Sequence, residues 1–463
     1  MSKNVDMLNG PTLKKIIVFA LPIIAMSILQ QLFNSADVAV VGHYCGNRAL
    51  AAVGSNAPVI NTLINIFVGL SLGANVVIST LIGQNKKHEI PKAIHTAMTV
   101  AAISGIFLIA LGMLITKKIL LLVNTPSDVI DYATIYLRLY FLGMPFIMIY
   151  NFSSAILRSK GDTQRPMYIL IASGIINVLL NLLFVIVFKM GVQGVGIATL
   201  ISNAISGLLT LYLLLKEKDD FKLNLMKLHI DFKHLKRIVQ IGLPAGLQGL
   251  VFSISNMCIL RGLNSFGSDA VAGSSAALNF EMYSYFIICG FNQSCTSFIS
   301  QNYGAKQFDR CKRIMKECLL CAFIGALVLS QTWVWARDLL CRIYTKNEIA
   351  LDYAKKRVFT VEMLGALVAT YEVLSSALRG IGWSTVPTAI VLFGTCVIRI
   401  TWINTAFKMV HTYENLLIVY PVSWTISAIL MAVAWIIISK KYLNVKQPLP
   451  VQTKSISDKP SEA

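Results

Sequence analysis

Runs of about 20 predominantly apolar residues, the length that crosses the hydrocarbon core of a bilayer as a helix, recur through this chain with only short polar breaks between them. No other feature limits the fold as tightly. Placing one helix on each run gives spans at Ile16–Val41, Ala51–Ile82, Ala93–Ile115, Ala133–Leu157, Met167–Phe188, Val195–Leu215, Ile238–Leu260, Ala270–Ile299, Ile314–Ala336, Val358–Leu378, Pro387–Phe407 and Leu416–Ile438, twelve in all. The composition agrees: the 463 residues are 56% hydrophobic and only 14% charged, where soluble domains are about a quarter charged, and the mean hydropathy is +0.66. The chain therefore reads as an all-α integral membrane protein.

A net charge of +19 would suggest nucleic acid if it were clustered on one soluble surface. Instead, Lys and Arg collect in alternate connections: QNKKHEIPK, LRSKGDTQR, the long central loop KEKDDFKLNLMKLHIDFKHLKR, QNYGAKQFDRCKR and the tail from Lys440. The connections near Gly42–Leu50, Lys189–Gly194 and Asn264–Asp269 carry few. The positive-inside rule then places both termini and the central loop in the cytoplasm. One connection, Arg337–Arg357, is basic yet falls on the outside. The basic central loop also suits anionic lipid headgroups. No small-residue cleavage site follows a short apolar core at the start, so Ile16 onward reads as a retained first span. The nine cysteines form no disulfide framework, and the CxxC at Cys318 and Cys321, with no His nearby, reads as packing.

The chain also repeats. LPIIAMSILQQLFNSADVAVVG opens one half and LPAGLQGLVFSISNMCILRG the other, pairing Pro22 with Pro244 at an offset of 222. YNFSSAILRSKGDTQRP lies over YEVLSSALRGIGWSTVP at an offset of 221, and LIGQNK matches FISQNY. The halves divide as residues 1–215, a linker at 216–237, residues 238–440, and a tail at 441–463 expected to lack structure. Six spans per half is an even number, so both copies start from the same face and are related by a pseudo-two-fold axis along the membrane normal. Two six-helix bundles then flank a cleft, rocking of one against the other alternates access, and Pro22 and Pro244 offer each first helix a place to bend.

An ionisable side chain at a helix centre costs roughly 3 kcal/mol or more and marks function by default. Asp37, in LFNSADVAVVG, is such a residue. It must be protonated, hydrated or paired, and it suits either proton uptake or a hard cation such as Na⁺. Asn34 stands one turn before it. Asn177 and Asn181 are spaced i, i+4 and share one helix face, and Thr199 lies in the next span. In the second half the position matching Asp37 is apolar or Cys. Its buried acids are Glu281 and Glu372, and Arg399 lies deep in the eleventh span, where it and Glu372 are able to pair across adjacent helices. Tyr140, Met144, Tyr150 and Tyr283 are candidates, with Glu281 and Glu372, to line the cleft and take up cationic amphipaths.

Twelve spans in two repeats, LP near the start of each, LFNSADVAVVGHYCGNRALAAVG, LRSKGDTQRP, LRGIGWSTVP and NVLLN together resemble the multidrug and toxic-compound extrusion (MATE) family over about Thr12–Tyr442. The resemblance implies a secondary antiporter that exports cationic amphipathic drugs in exchange for H⁺ or Na⁺. It also implies that Asp37, Asn177, Asn181 and Thr199 form the cation-coupling cluster, and hold the metal ion if the coupling ion is Na⁺. Many members carry an acid where Asn181 stands, so this chain offers one carboxylate in place of two. A monomer that needs no cofactor is expected, with small molecules and membrane lipid as its partners.

Other classes fit less well. There is no P-loop GxxxxGK[ST] and no HExxH, and the adjacent acids Asp219 and Asp220 lie in the lysine-rich linker, so an enzyme is not indicated. A flippase for a lipid-linked oligosaccharide would want several cations in the cleft, and a channel a ring of charges or carbonyls. Export of one endogenous metabolite remains a further reading of the same fold.

Overall fold

The computed structural model describes residues 4–444, apart from 123, 124, 126, 128 and 346. Most of the tail expected at 441–463 lies outside the described residues. The first half comprises α1 Thr12–Tyr44, α2 Gly46–Gly83, α3 Ile90–Leu122, α4 Ile130–Leu142, α5 Met144–Ser159, α6 Gln164–Leu182 and α7 Gly191–Lys216. The second comprises α8 Phe232–Asn264, α9 Ser268–Gly304, α10 Phe308–Tyr344, α11 Glu348–Arg357, α12 Leu367–Gly380, α13 Thr385–Val391, α14 Ile398–Asn404, α15 Ala406–Met409 and α16 Tyr413–Tyr442.

Among the described residues nine helices are long and apolar enough to cross a membrane, and two bent pairs bring the number to eleven. The twelfth span is α9, whose 37 residues carry so many Ser, Asn and Gln that its hydropathy falls short. That composition suits its place, since α9 packs against α1 and α2 of the other half as well as α10, α11 and α12 of its own. Two expected single spans are each a bent pair. The fourth breaks by 44° at Gly143, where Pro145 follows in the first turn of α5. The tenth starts ten residues earlier than expected and breaks by 48° between a π-helical turn, Val358–Glu362, and α12.

That earlier start accounts for the basic connection on the wrong side. Arg337 belongs to α10, and Lys355, Lys356 and Arg357 to α11. Lys355 pairs with Asp338 (2.7 Å) and Lys356 with Asp352 (3.1 Å) and Glu414 (3.2 Å). Arg357 is buried against Glu281.

The repeat is visible in detail on the face that carries the Lys- and Arg-rich connections, called here the basic face. Gly161 (φ +98°) and Gly382 (φ +93°), matched in the two halves, both close their turns in the left-handed region, which disfavours any residue with a Cβ. The halves meet along α2 and α8 with almost no side chain between them. A Cβ on Gly69 would lie 2.3 Å from the Gly246 nitrogen, and one on Gly73 2.3 Å from the Ile238 carbonyl oxygen. Such small-residue stripes let membrane helices approach at backbone distance. Lobe-to-lobe hydrogen bonds in the basic half include Ser297 Oγ donating to Asn75 Oδ1 (3.0 Å) and Gln301 Nε2 to the Ser159 carbonyl (2.6 Å). The basic half of α1 also joins the core of the second half, where Phe19 meets Phe298 edge-on with centroids 5.4 Å apart. Pro22 and Pro244 lie inside α1 and α8. Around Pro244, Ser384 Oγ donates to the Ile241 carbonyl (2.6 Å) and Thr388 Oγ1 to that of Pro244 (3.0 Å), tying the start of α13 to α8 beside its proline.

Candidate functional site

The first-half cluster is assembled from three helices. Asp37 of α1 is buried, 7% exposed, and Asn181 of α6 is fully buried. Asn181 Nδ2 donates to Asp37 Oδ1 and also to Asn177 Oδ1 one turn away (3.3 Å). Asn177 Nδ2 donates onward to Ser202 Oγ of α7 (3.3 Å), and Ser202 Oγ to the Thr199 carbonyl (3.0 Å). Asp37, Asn177 and Asn181 are thus brought together, the two asparagines on one face as their i, i+4 spacing predicts. Thr199 stands beside them, but its hydroxyl donates to its own helix at Val195 O (2.9 Å). Asn34 is exposed and forms no part of the buried chain of contacts. Ser202 is the member that sequence reasoning missed, because a serine on a membrane helix carries no signal beyond close packing. Tyr136 and Tyr140 of α4, ring centroids 6.4 Å apart, stand on the same side of the first half as Asp37.

One carboxylate among amides and hydroxyls is a donor set for a proton or a monovalent hard cation. No group of three or more His, Cys, Asp or Glu suited to a metal ion occurs among the described residues, which fits a divalent ion poorly. Asn181 Oδ1, buried beside the carboxylate, has no hydrogen-bond partner. An amide oxygen left without a donor is where a small cation or the proton of a carboxylic acid would find its second contact.

In the second half the buried charges are arranged otherwise than expected. Glu281 does not stand free in the cleft: Arg357 Nε and Nη2 grip its two oxygens at 2.6 and 3.0 Å, and Arg357 Nη1 donates to Ser274 Oγ (3.0 Å). The fork matches the carboxylate, which is how a buried pair becomes tolerable. The Glu372–Arg399 pair does not form. Glu372 accepts from Asn292 Nδ2 (2.8 Å), and Asn292 Oδ1 in turn accepts from Ser376. Arg399 instead donates to Ser423 and Asn256 (3.2 and 3.1 Å) and lies over the Tyr420 ring (4.6 Å). Glu362, in the π-helical turn, accepts from Ser284 Oγ (3.0 Å), which Trp333 Nε1 supports (3.2 Å); nothing in the sequence pattern singled it out. Met144 is fully buried in the first-half core. Tyr150 is also core, its hydroxyl turned to Pro166 O (3.4 Å). Neither lines a cleft. Tyr283 is half-buried and meets Phe286 edge-on.

A duplicated all-α membrane bundle with a carboxylate buried among neutral amides in one half is the design of a membrane transporter. The sequence model of the MatE family matches residues 22–183 and again 244–402, and the chain belongs to that family; it is a multi-span membrane transporter and not an enzyme. The probable multidrug resistance protein YoeA of Bacillus subtilis is 27% identical over 427 residues, 89% of this chain and 91% of that protein. The probable multidrug resistance protein NorM of Thermotoga maritima is 25% identical, with 82% of each chain covered. Among solved structures, a multidrug resistance MATE family transporter in its outward-facing conformation superposes with a TM-score of 0.88 at 22% identity, covering 96% of this chain and 99% of that one; it shares the fold of twelve helices in two bundles.

Proposed function

We propose that this protein is a secondary antiporter that exports cationic amphipathic compounds from a bacterial cell in exchange for H⁺ or Na⁺. The observation that carries the reading is Asp37, buried in the first bundle and, among the described residues, hydrogen-bonded by the neutral amide of Asn181. A carboxylate there without a fixed countercation can be neutralised in the membrane by taking up a coupling ion. Asn181 holds one carboxylate oxygen, Asn177 and Ser202 hold Asn181 and each other in place, and the unpartnered Asn181 Oδ1 faces an ion or a bound proton. If the ion is Na⁺, Asp37, Asn177, Asn181 and Thr199 supply its oxygens. In this reading both termini are cytoplasmic, the basic face is the inner one, the monomer is the working unit, and access alternates by rocking of the two halves about their glycine-lined contact.

Ethidium efflux from reconstituted vesicles tests this, with wild type and Asp37→Asn compared under an imposed pH gradient and then an imposed Na⁺ gradient. Efflux should follow one gradient and vanish in the variant while the protein stays folded in the bilayer. Wild-type rates in Asp37→Asn would remove the carboxylate from the coupling step.

A further inference from the structure

The repeat places Asn256 where the first half has Asn34, at the offset of 222. It places Tyr420 and Ser423 where the first half has Thr199 and Ser202, at the offset of 221. In the first half Ser202 Oγ accepts from Asn177 (3.3 Å); in the second Ser423 Oγ accepts from Arg399 Nε (3.2 Å). Arg399 thus stands at the second-half counterpart of the Asp37 cluster, with the sign of the fixed charge reversed.

The guanidinium is 0% exposed. Its faces lie toward Tyr420 (4.6 Å) and Phe252 (5.6 Å). Its acceptors are neutral, Ser423 Oγ and Asn256 Oδ1 at 3.1 Å. Nη2 has no hydrogen-bond partner at all. Among the described residues no carboxylate lies within ion-pairing distance, since Glu281 is held by Arg357 and Glu372 by Asn292. A buried cation with an idle pair of donors is costly, and the planar fork of arginine matches a carboxylate. The Arg399 acceptor Asn256 is placed toward the other half. Asn256, half-buried, lies two turns beyond Gly249 on the same face of α8, and a Cβ on Gly249 would touch Asn65 of the other half at 3.1 Å. Asn256 therefore lies on the face of α8 that meets the other half, and it is the half-buried acceptor of the fully buried Arg399.

We propose that Arg399, gated by Asn256, is an anion subsite in the second-half wall of the cleft, and that it takes the carboxylate of an amphipathic organic molecule. This rests on the reading that the cleft is the cargo path, and it widens the cargo to compounds bearing a carboxylate.

Equilibrium dialysis of 2-naphthoate against the full-length protein in lipid nanodiscs tests the subsite without requiring transport, so failure of gradient-driven efflux and failure of this proposal are distinguishable. Naphthoate should bind, and neutral 2-naphthamide should bind at least about tenfold more weakly, as expected for a hydrogen bond to a charged group. Arg399→Gln should remove the preference and Arg399→Lys retain part of it. Asn256→Asp gives the guanidinium a carboxylate of its own, so it should raise the thermal unfolding midpoint while abolishing naphthoate binding. Naphthoate binding that chloride does not displace supports an organic carboxylate as the ligand, and displacement by chloride as effective as by naphthoate itself would overturn it. Equal binding of naphthoate and naphthamide, no binding of naphthoate, or unchanged affinity in both Arg399→Gln and Asn256→Asp would overturn the proposal.

Discussion

At the scale of the residue, Asp37 and Asn181 form a contact in which only one partner can ionise. Asn181→Asp would put a second carboxylate at hydrogen-bonding distance from the first. Two such groups cannot both lose their protons without a cation between them. The expected outcome is a several-fold tighter apparent affinity for the coupling cation, read from the ion dependence of efflux in vesicles; an unchanged dependence would mean that the two side chains do not share an ion. The two residues were legible in the sequence because an Asp and an i, i+4 Asn pair are conspicuous on apolar helices. Thr199 was legible only as a neighbour, since a threonine hydroxyl can donate to the carbonyl one turn back and satisfy itself within its own helix. Glu281 misled for a different reason. Its partner Arg357 looked like a loop residue, and no local pattern shows that a helix begins ten residues sooner. Glu372 and Arg399 were each correctly placed in the membrane, yet the neutral partners they chose, Asn292 and Asn256, carry no charge by which to find them.

At the scale of the element, the close approach of α2 and α8 depends on glycines. A Cβ on Gly246 would lie 2.6 Å from the Ile66 Cα, backbone that cannot swing aside. Gly246→Leu should lower stability by about 1–3 kcal/mol or more, seen as a fall in the thermal midpoint of the purified protein; a midpoint equal to wild type would show that the two helices can separate freely. At the basic end of α7, Glu217 accepts from Lys160 (2.5 Å) and Arg165 (2.6 Å), tying α7 to the turn between α5 and α6. Burial works against its ionisation, but the two cations prevail and hold its carboxyl below the usual range. A lowered folded-state value means the contribution is present above the ordinary glutamate pKa of about 4.3 and is lost as pH falls through the folded value. Glu217→Gln should therefore cost stability at neutral pH and make the protein less sensitive to acid below pH ~4.3, measured as thermal midpoint against pH; parallel curves for variant and wild type would refute the tie. The helices themselves were readable from apolar run length. Their bends were not, because hydropathy averages across Gly143 and the Val358–Glu362 turn without registering direction.

At the scale of the whole molecule, the segment before α1 bridges the two halves on the basic face. Val5 N donates to the Gly161 carbonyl in the first half (3.0 Å). Two residues on, the carbonyl of buried Met7 accepts from Asn302 Nδ2 (3.1 Å) and Arg310 Nη2 (3.3 Å) in the second. Arg310 also reaches the carbonyls of Asn9 (3.1 Å) and Gly10 (2.9 Å). Opening the basic face must break one side of this strap, because its anchors belong to halves that would move apart. Hydrogen bonds from a charged donor contribute about 1.5–3 kcal/mol each, and a two-state equilibrium shifts tenfold for each 1.4 kcal/mol, so losing the Arg310 contacts should repopulate the two states measurably. Arg310→Gln with Asn302→Ala should widen the distances between spin labels at Lys87 and Asp309, exposed positions on the two halves, in a background without native cysteines. A distribution that stays narrow and unchanged would mean that the α2–α8 contact alone keeps the basic face shut.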